Sequence, residues 1–435
     1  MKKRILYIIG SIAIILLSIY LLRYKTGSDI SHNIPGNAVA VVNINLRNLE
    51  HHLLVDFLKR PFEYFNKKPS KTKEKTSFKF SEAVELPKNL FFYTTQNNYS
   101  TWFSTPLLLT DKESFLFNLP SKKFKKVKLE EVLVYKRDNF YIFVEDKHIS
   151  LCFSAENVNH IVPFYKEKSS LLDQKSDLFN QLKKTPNDLV FVTNNSTLIK
   201  CDFVDGAIDF KGTLKSDLFN TVTTNTNKGL IGFNANINKN NSFYQSFIKT
   251  INRDKFAKVT QMNFDSIQTY WNGHLDFKLR NFIKQTDTIK TYEYDDDFNK
   301  IEKIAVQENI MPDFAMCLGT NNSLKNYLIN QHALQLVEND TIFTSFPFVK
   351  TYVTTTENKM YLYTKSVINK PTISSNFDLY FDIKAYQKQS EGSIYTNNNI
   401  GKFSKVAISI DKDNRLSAKL LMRNKRNAII EFIKN

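Results

Sequence analysis

The chain has 435 residues, 42% hydrophobic and 13% aromatic, and a formal net charge of +17. Its 36 phenylalanines against 11 glycines and 11 prolines supply a large core and exclude disordered, collagen-like and glycine-rich classes. The lysine excess follows no Arg-rich or Gly-aromatic pattern, so nucleic acid is not an expected partner; the lysines read first as a solvated surface and second as a surface for an anionic lipid, an acidic polymer or an envelope protein.

Met1-Lys2-Lys3-Arg4 is followed by an uncharged apolar run over residues 5–22. A helix of that length matches the hydrocarbon core, which takes about 17–25 residues. Leu21, Leu22, Arg23, Tyr24 and Lys25 do not form a small-residue cleavage site, and no cysteine precedes Cys152 for lipid attachment. Residues 1–25 are therefore predicted to be a signal-anchor transmembrane helix, with a cleaved signal peptide as the alternative. The cluster Lys2, Lys3, Arg4 against Arg23 and Lys25 orients the chain by the positive-inside rule. The chain is then a single-pass inner (cytoplasmic) membrane protein, held through residues 5–22, with a periplasmic body.

A short stalk over residues 26–35 leads to the turn Ile34-Pro35-Gly36-Asn37 and a strand over 38–46, with Val42, Ile44 and Leu46 sharing a face. Asn48 is positioned to cap a helix through Leu49, Leu53, Leu54, Phe57 and Leu58 that Pro61 interrupts; His51 and His52 are expected on its surface. Lys67, Lys68, Lys71, Lys73, Lys75 and Lys79 surround Glu74 in a solvated loop, and strands follow over 89–95 and 102–109. A second lysine cluster at Lys122, Lys123, Lys125, Lys126 and Lys128 precedes a hairpin over 140–153 and a helix through Val158, Ile161, Val162 and Tyr165.

Past Thr185-Pro186-Asn187 come a strand over 189–192 and a hairpin about Asp205-Gly206. A strand over 229–237 precedes a helix with Phe243, Phe247, Ile248 and Ile251 on one face. Residues 313–318 form a strand before a helix through Leu324, Tyr327, Leu328 and Ile329. Further strands cover 361–363 and 378–383; a final hairpin over 406–421 leads to a helix with Ala428, Ile429, Phe432 and Ile433.

The strand–helix opening at residue 38 returns at 229, and the hairpin–helix unit at 140 returns at 406. The predicted fold is thus α+β, with largely antiparallel sheets, helices packed on one face, and two related lobes at residues 36–185 and 186–435.

No catalytic, cofactor-binding or metal-ligating residue is assigned. The chain has no G-x-S-x-G, H-E-x-x-H, Walker or C-x-x-C motif. Asp295, Asp297 and Asn299 have the spacing of calcium-loop ligands, but Lys300 and Val306 stand where glycine and glutamate are needed, so a turn is the better reading. Asp411 and Asp413 are read likewise. The seven histidines are dispersed, His148 and His160 among them, and Cys152, Cys201 and Cys317 fit buried structural positions. Trp102 and Trp271 suit core packing first and the lining of a groove second.

The opening Ile34-Pro35-Gly36-Asn37-Ala38-Val39-Ala40-Val41-Val42-Asn43-Ile44 and the closing hairpin and helix over 403–432 resemble uncharacterised envelope proteins of the Bacteroidota. That resemblance covers the two edges of the body and implies an envelope location and an α+β repeat fold, with no assigned reaction. The function expected is a non-enzymatic binding or scaffolding component of the envelope, without a cofactor. The alternatives are a protein that handles lipid or envelope polymer in an apolar groove, and an enzyme with an unrecognised site.

Overall fold

The computed structural model describes residues 34–65, 80–95, 102–129, 132–154, 170–224, 229–294, 298–320, 322–346, 349–367, 373–390 and 400–433. The predicted anchor, the lysine-rich loop, the helix over 158–165, and Asp295 and Asp297 lie outside these residues. Among the described residues no helix is long and apolar enough to cross a membrane. The chain divides into two compact units, Met1–Val204 with Arg426–Asn435, and Asp205–Lys425.

In unit 1, β1 (Ala40–Asn45) lies between β2 (Asn89–Thr94) and β8 (Leu189–Thr193). β3 (Trp102–Leu108), β7 (His148–Ser154), β6 (Phe140–Val144), β5 (Val132–Arg137) and β4 (Lys125–Leu129) continue beyond β2, and β9 (Leu198–Val204) beyond β8. Every pairing is antiparallel, in the order β4-β5-β6-β7-β3-β2-β1-β8-β9. The predicted boundary at 185/186 therefore falls too early: β8 hydrogen-bonds along β1 and belongs to the first unit.

The helices of this unit are α1 (Leu46–Lys59), α2 (Pro61–Phe65), α3 (Phe80–Ala83), α4 (Lys112–Asn118), α5 (Asp177–Lys183) and α11 (Ala428–Ile433). The cap of α1 is Asn45 rather than Asn48: the Asn45 side chain accepts from the Asn48 amide at 3.1 Å, satisfying a donor that the first helical turn leaves unpaired. Leu46 is thus the first residue of the helix, and β1 turns Val41, not Val42 and Ile44, into the core beside Phe91, Leu178 and Val190.

Unit 2 contains β10 (Ala207–Thr213), β11 (Val222–Thr224), β12 (Ile231–Asn236), β13 (Trp271–Tyr294), β14 (Lys300–Thr320), β15 (Leu334–Val337) and β16 (Asp340–Phe343). It also holds β17 (Tyr352–Thr355), β18 (Lys359–Tyr363), β19 (Ile373–Asp382), β20 (Phe403–Asp411) and β21 (Arg415–Met422). Its helices are α6 (Ser242–Lys249), α7 (Arg253–Thr260), α8 (Phe264–Tyr270), α9 (Asn322–Asn330) and α10 (Ile383–Gln389).

The strand order is β15-β16-β17-β18-β14-β13-β12-β19-β20-β21-β10, again antiparallel, with β11 also paired to β19. It repeats the order of unit 1 with β12 in place of β1, β13 in place of β2, and so on to β20 in place of β9. The predicted match of the hairpin at 140 with the one at 406 is corrected by this order: the equivalent of β6–β7 is β17–β18.

The strand at 313–318 is only the end of β14. From Asn281 opposite Asp313 to Tyr294 opposite Lys300, β13 and β14 pair with each other alone, a ribbon on the order of 45 Å long. Its Ile304 and Val306 are exposed, and Lys284–Glu308, Lys290–Glu302 and Lys303–Glu293 ion pairs run across it. The Phe282 ring meets Tyr386 of α10 edge-on at the base.

Candidate functional site

An apolar cavity of about 310 Å³ lies inside unit 1. Its floor comes from strand alternation. The registers place Arg137 opposite Phe140 and Phe140 opposite Phe153, then Tyr135, Ile142 and Leu151 in the next row, so all six share one face. The intervening residues Val134, Tyr141, Phe143 and Cys152 form a second apolar cluster on the reverse face with Trp102.

The roof is local in sequence. Asp111 caps α4 by accepting from the Ser114 amide at 3.0 Å, and the helix delivers Phe115, 1% exposed, onto the floor. Lys123 then adopts φ +65°, which turns the chain so that Phe124 packs back toward the sheet. On this side only Val84, Leu86, Phe115 and Phe124 contribute to the lining, and the space between them and the floor stays open. The lining reaches solvent at Phe140 and Phe153, which are 47% and 46% exposed and meet edge-to-face at 5.3 Å.

Among the described residues Arg137 is the only charged one of the lining. Its guanidinium lies 4.7 Å from the Phe124 ring centroid and 6.0 Å from that of Phe140, and Nη1 donates to the Lys122 carbonyl at 3.3 Å. An apolar-walled space of this kind favours hydrocarbon over water, at about 0.8 kcal/mol per buried methylene. Its volume sits at the lower end of the about 300–1,000 Å³ typical of ligand pockets.

Unit 2 carries a different arrangement, a row of polar side chains across one sheet face. Asn234 on β12, Asp276 on β13, Cys317 on β14 and Tyr361 on β18 are successive cross-strand partners, with Lys359 and His274 in the neighbouring row. Burial pushes the Cys317 thiol up to about 11 and, with the Lys359 charge, the His274 imidazole down to about 4. At neutral pH the thiol is protonated and the imidazole neutral, the opposite of the thiolate–imidazolium pair that nucleophilic catalysis needs.

His274 has a consequence for stability. Its folded pKa lies below the ordinary value of 6.5, so the unfolded chain binds more protons between pH 6.5 and 4, and stability falls as pH drops through that window. After discounting for solvent screening the loss is about 2 kcal/mol. Asp276, whose pKa burial raises, offsets part of it, because protonation relieves the cost of burying its charge. His274→Gln is expected to flatten the pH 7 to pH 4 fall in the urea midpoint of the unit 2 transition; an unchanged slope would contradict the assignment.

The other sequence-singled residues are placed as follows. The three cysteines are buried, and burial holds the Cys152 thiol up at about 12. His51 is exposed as expected, but His52 is not a bare surface residue: its Nε2 lies 2.9 Å from the buried Asp188 carboxylate. Asp411 accepts from the Asp413 and Arg415 amides at 2.9 Å each, a turn rather than an ion site. Trp102 and Trp271 are core residues, Trp102 on the sheet face opposite the cavity floor. Among the described residues no group of His, Cys, Asp and Glu is placed to hold a metal ion. Sequence reasoning did not single out Arg137; the one available signal was an arginine at the turn of a meander whose other long basic side chains are lysines.

No family model matches the chain, and no curated protein matches it. Solved structures that align with it include crystal form III of TP0453, at 9% identity over 78% of this chain and 94% of that one, with a TM-score of 0.22. Crystal form I of TP0453 aligns at 7% identity over 78% and 93%, with the same TM-score. At that TM-score the likeness carries no argument about this chain.

Proposed function

We propose that the chain is a single-pass, membrane-anchored periplasmic binding protein of the envelope, fixed through residues 5–22. On this reading its ligand is an amphiphile whose hydrocarbon part occupies the unit 1 cavity. The observation that carries this is the cavity itself, about 310 Å³ walled by phenylalanine, leucine and isoleucine at the end of a sheet. Its apolar walls offer a ligand burial and fixed position, and the thiol that borders them, Cys152, is held protonated by burial, up at about 12. The uncharged N-terminal run and the resemblance of the chain's edges to Bacteroidota envelope proteins support the location. The common strand order of the two units supports reading them as related lobes, of which unit 1 is the binding one.

The test is lipid extraction from the purified full chain, followed by mass spectrometry. A single-chain species near one per protein is expected to survive washing; a chain that carries no lipid and takes none up on incubation would remove the proposal.

A further inference from the structure

We infer that the cavity takes a single-chain anionic amphiphile, in the simplest case a long-chain carboxylate, whose head group is held by Arg137. This rests on the binding reading above and adds the ligand's charge and chain number. Three observations converge on it. First, the volume is at the small end for ligand pockets, which suits one hydrocarbon chain rather than two.

Second, the one charged lining residue among those described stands where the lining meets solvent. Arg137, Phe140 and Phe153 are successive cross-strand partners, so the guanidinium and the two half-exposed rings form one row at the open end. A chain crossing the Ile142–Leu151 row in the strand direction would bring its polar end to that row.

Third, the guanidinium is positioned without being neutralised. Phe124 and Phe140 approach it, one N–H goes to the Lys122 carbonyl, and among the described residues no carboxylate pairs with it. A guanidinium has five N–H donors in a planar fork, so a carboxylate can be met by two parallel bonds. The surroundings add positive charge. Lys122, Lys123, Lys125, Lys126 and Lys136 belong to the same end of the meander, against Asp138 in the β5–β6 turn. The lysine cluster evident in the sequence thereby acquires a place, at the rim of an apolar cavity.

The test uses the full chain in nanodiscs and two photoreactive probes of equal chain length, a diazirine fatty acid and the corresponding fatty alcohol. Cavity crosslinks are mapped by mass spectrometry and normalised to labelling of the disc lipid. Wild type is expected to favour the acid over the alcohol roughly threefold to tenfold, and Arg137→Gln to bring the acid down to the alcohol's level. Arg137→Lys, which keeps the charge and loses the fork, should fall between.

Equal labelling by both probes in wild type, or an equal drop of both in Arg137→Gln, would overturn the inference and leave the apolar cavity as the site. Absence of cavity crosslinks with either probe would overturn the binding reading and this inference together.

Discussion

Arg426→Ala is expected to destabilise unit 1 by about 3–5 kcal/mol, the cost of stranding a buried charge. The Arg426 and Asp56 side chains are each 6% exposed. Arg426 Nε donates to Asp56 Oδ1 at 2.8 Å, and Nη2 donates to Oδ2 to complete a two-pronged pair. Tyr64 donates to the same carboxylate at 2.6 Å, and Glu63 accepts from Arg426 Nη1 at 2.8 Å. Burial by itself would raise the Asp56 pKa, but the hydrogen bonds from Arg426 and Tyr64 outweigh it and hold the carboxyl below its ordinary value.

Removing the guanidinium reverses that balance and also releases the chain's final residues, Asn427 and α11, from α1. Urea unfolding followed by Trp102 fluorescence in a Trp271→Phe background reads the effect. A double variant, Asp56→Leu with Arg426→Met, is expected to lose much less, because it strands no charge. A loss below 1 kcal/mol for Arg426→Ala would mean that the pair is solvated in the folded chain.

The second large effect concerns the cavity. Leu151 stands opposite Ile142 in the middle of the floor. Leu151→Trp places an indole in the space assigned to the hydrocarbon chain, and fatty-acid crosslinking to the cavity is expected to fall at least roughly tenfold, the loss of a few buried methylenes. The substitution differs from ordinary overpacking, which costs about 1–3 kcal/mol, because open volume is already there to receive the ring. A variant that folds with an unchanged urea midpoint and still labels as wild type would place the ligand elsewhere.

The local grammar of the fold was legible in the residues. The hairpins at 140 and 406, the strand–helix unit at 38 and the buried face of α9 at Leu324 and Leu328 all follow from apolar spacing and turn chemistry. The misreadings have identifiable causes. Asn45 and Asn48 both suit an N-cap, and only the course of β1 decides between them. Phe243 and Phe247, 59% and 53% exposed, give way to Tyr244 as the buried face of α6, where the Tyr244 ring packs beside Trp271.

The ribbon of β13 and β14 was hidden because most of its length meets no core, so neither strand shows one-sided apolar alternation. The cavity leaves no trace in a sequence, since a leucine that fills space and one that borders it look alike. The Asp56–Arg426 pair joins residues 370 positions apart, which no single-chain pattern can announce.

Related lobes also depended on what pattern could carry. The return of the opening strand and helix at 229 matches the common strand order, whereas the hairpin at 406 was paired with the one at 140 on shape alone. Two antiparallel hairpins of similar length are interchangeable by pattern, and hydrogen-bonded order is what distinguishes β17–β18 from β20–β21.

The most direct measurement is a crystal structure of the chain grown with a long-chain carboxylate present. The account predicts continuous density for one chain running past Leu151 and Ile142, with its carboxylate on Arg137. A cavity closed by Phe115 and Phe124 against the floor, with the carboxylate absent from unit 1, would contradict it.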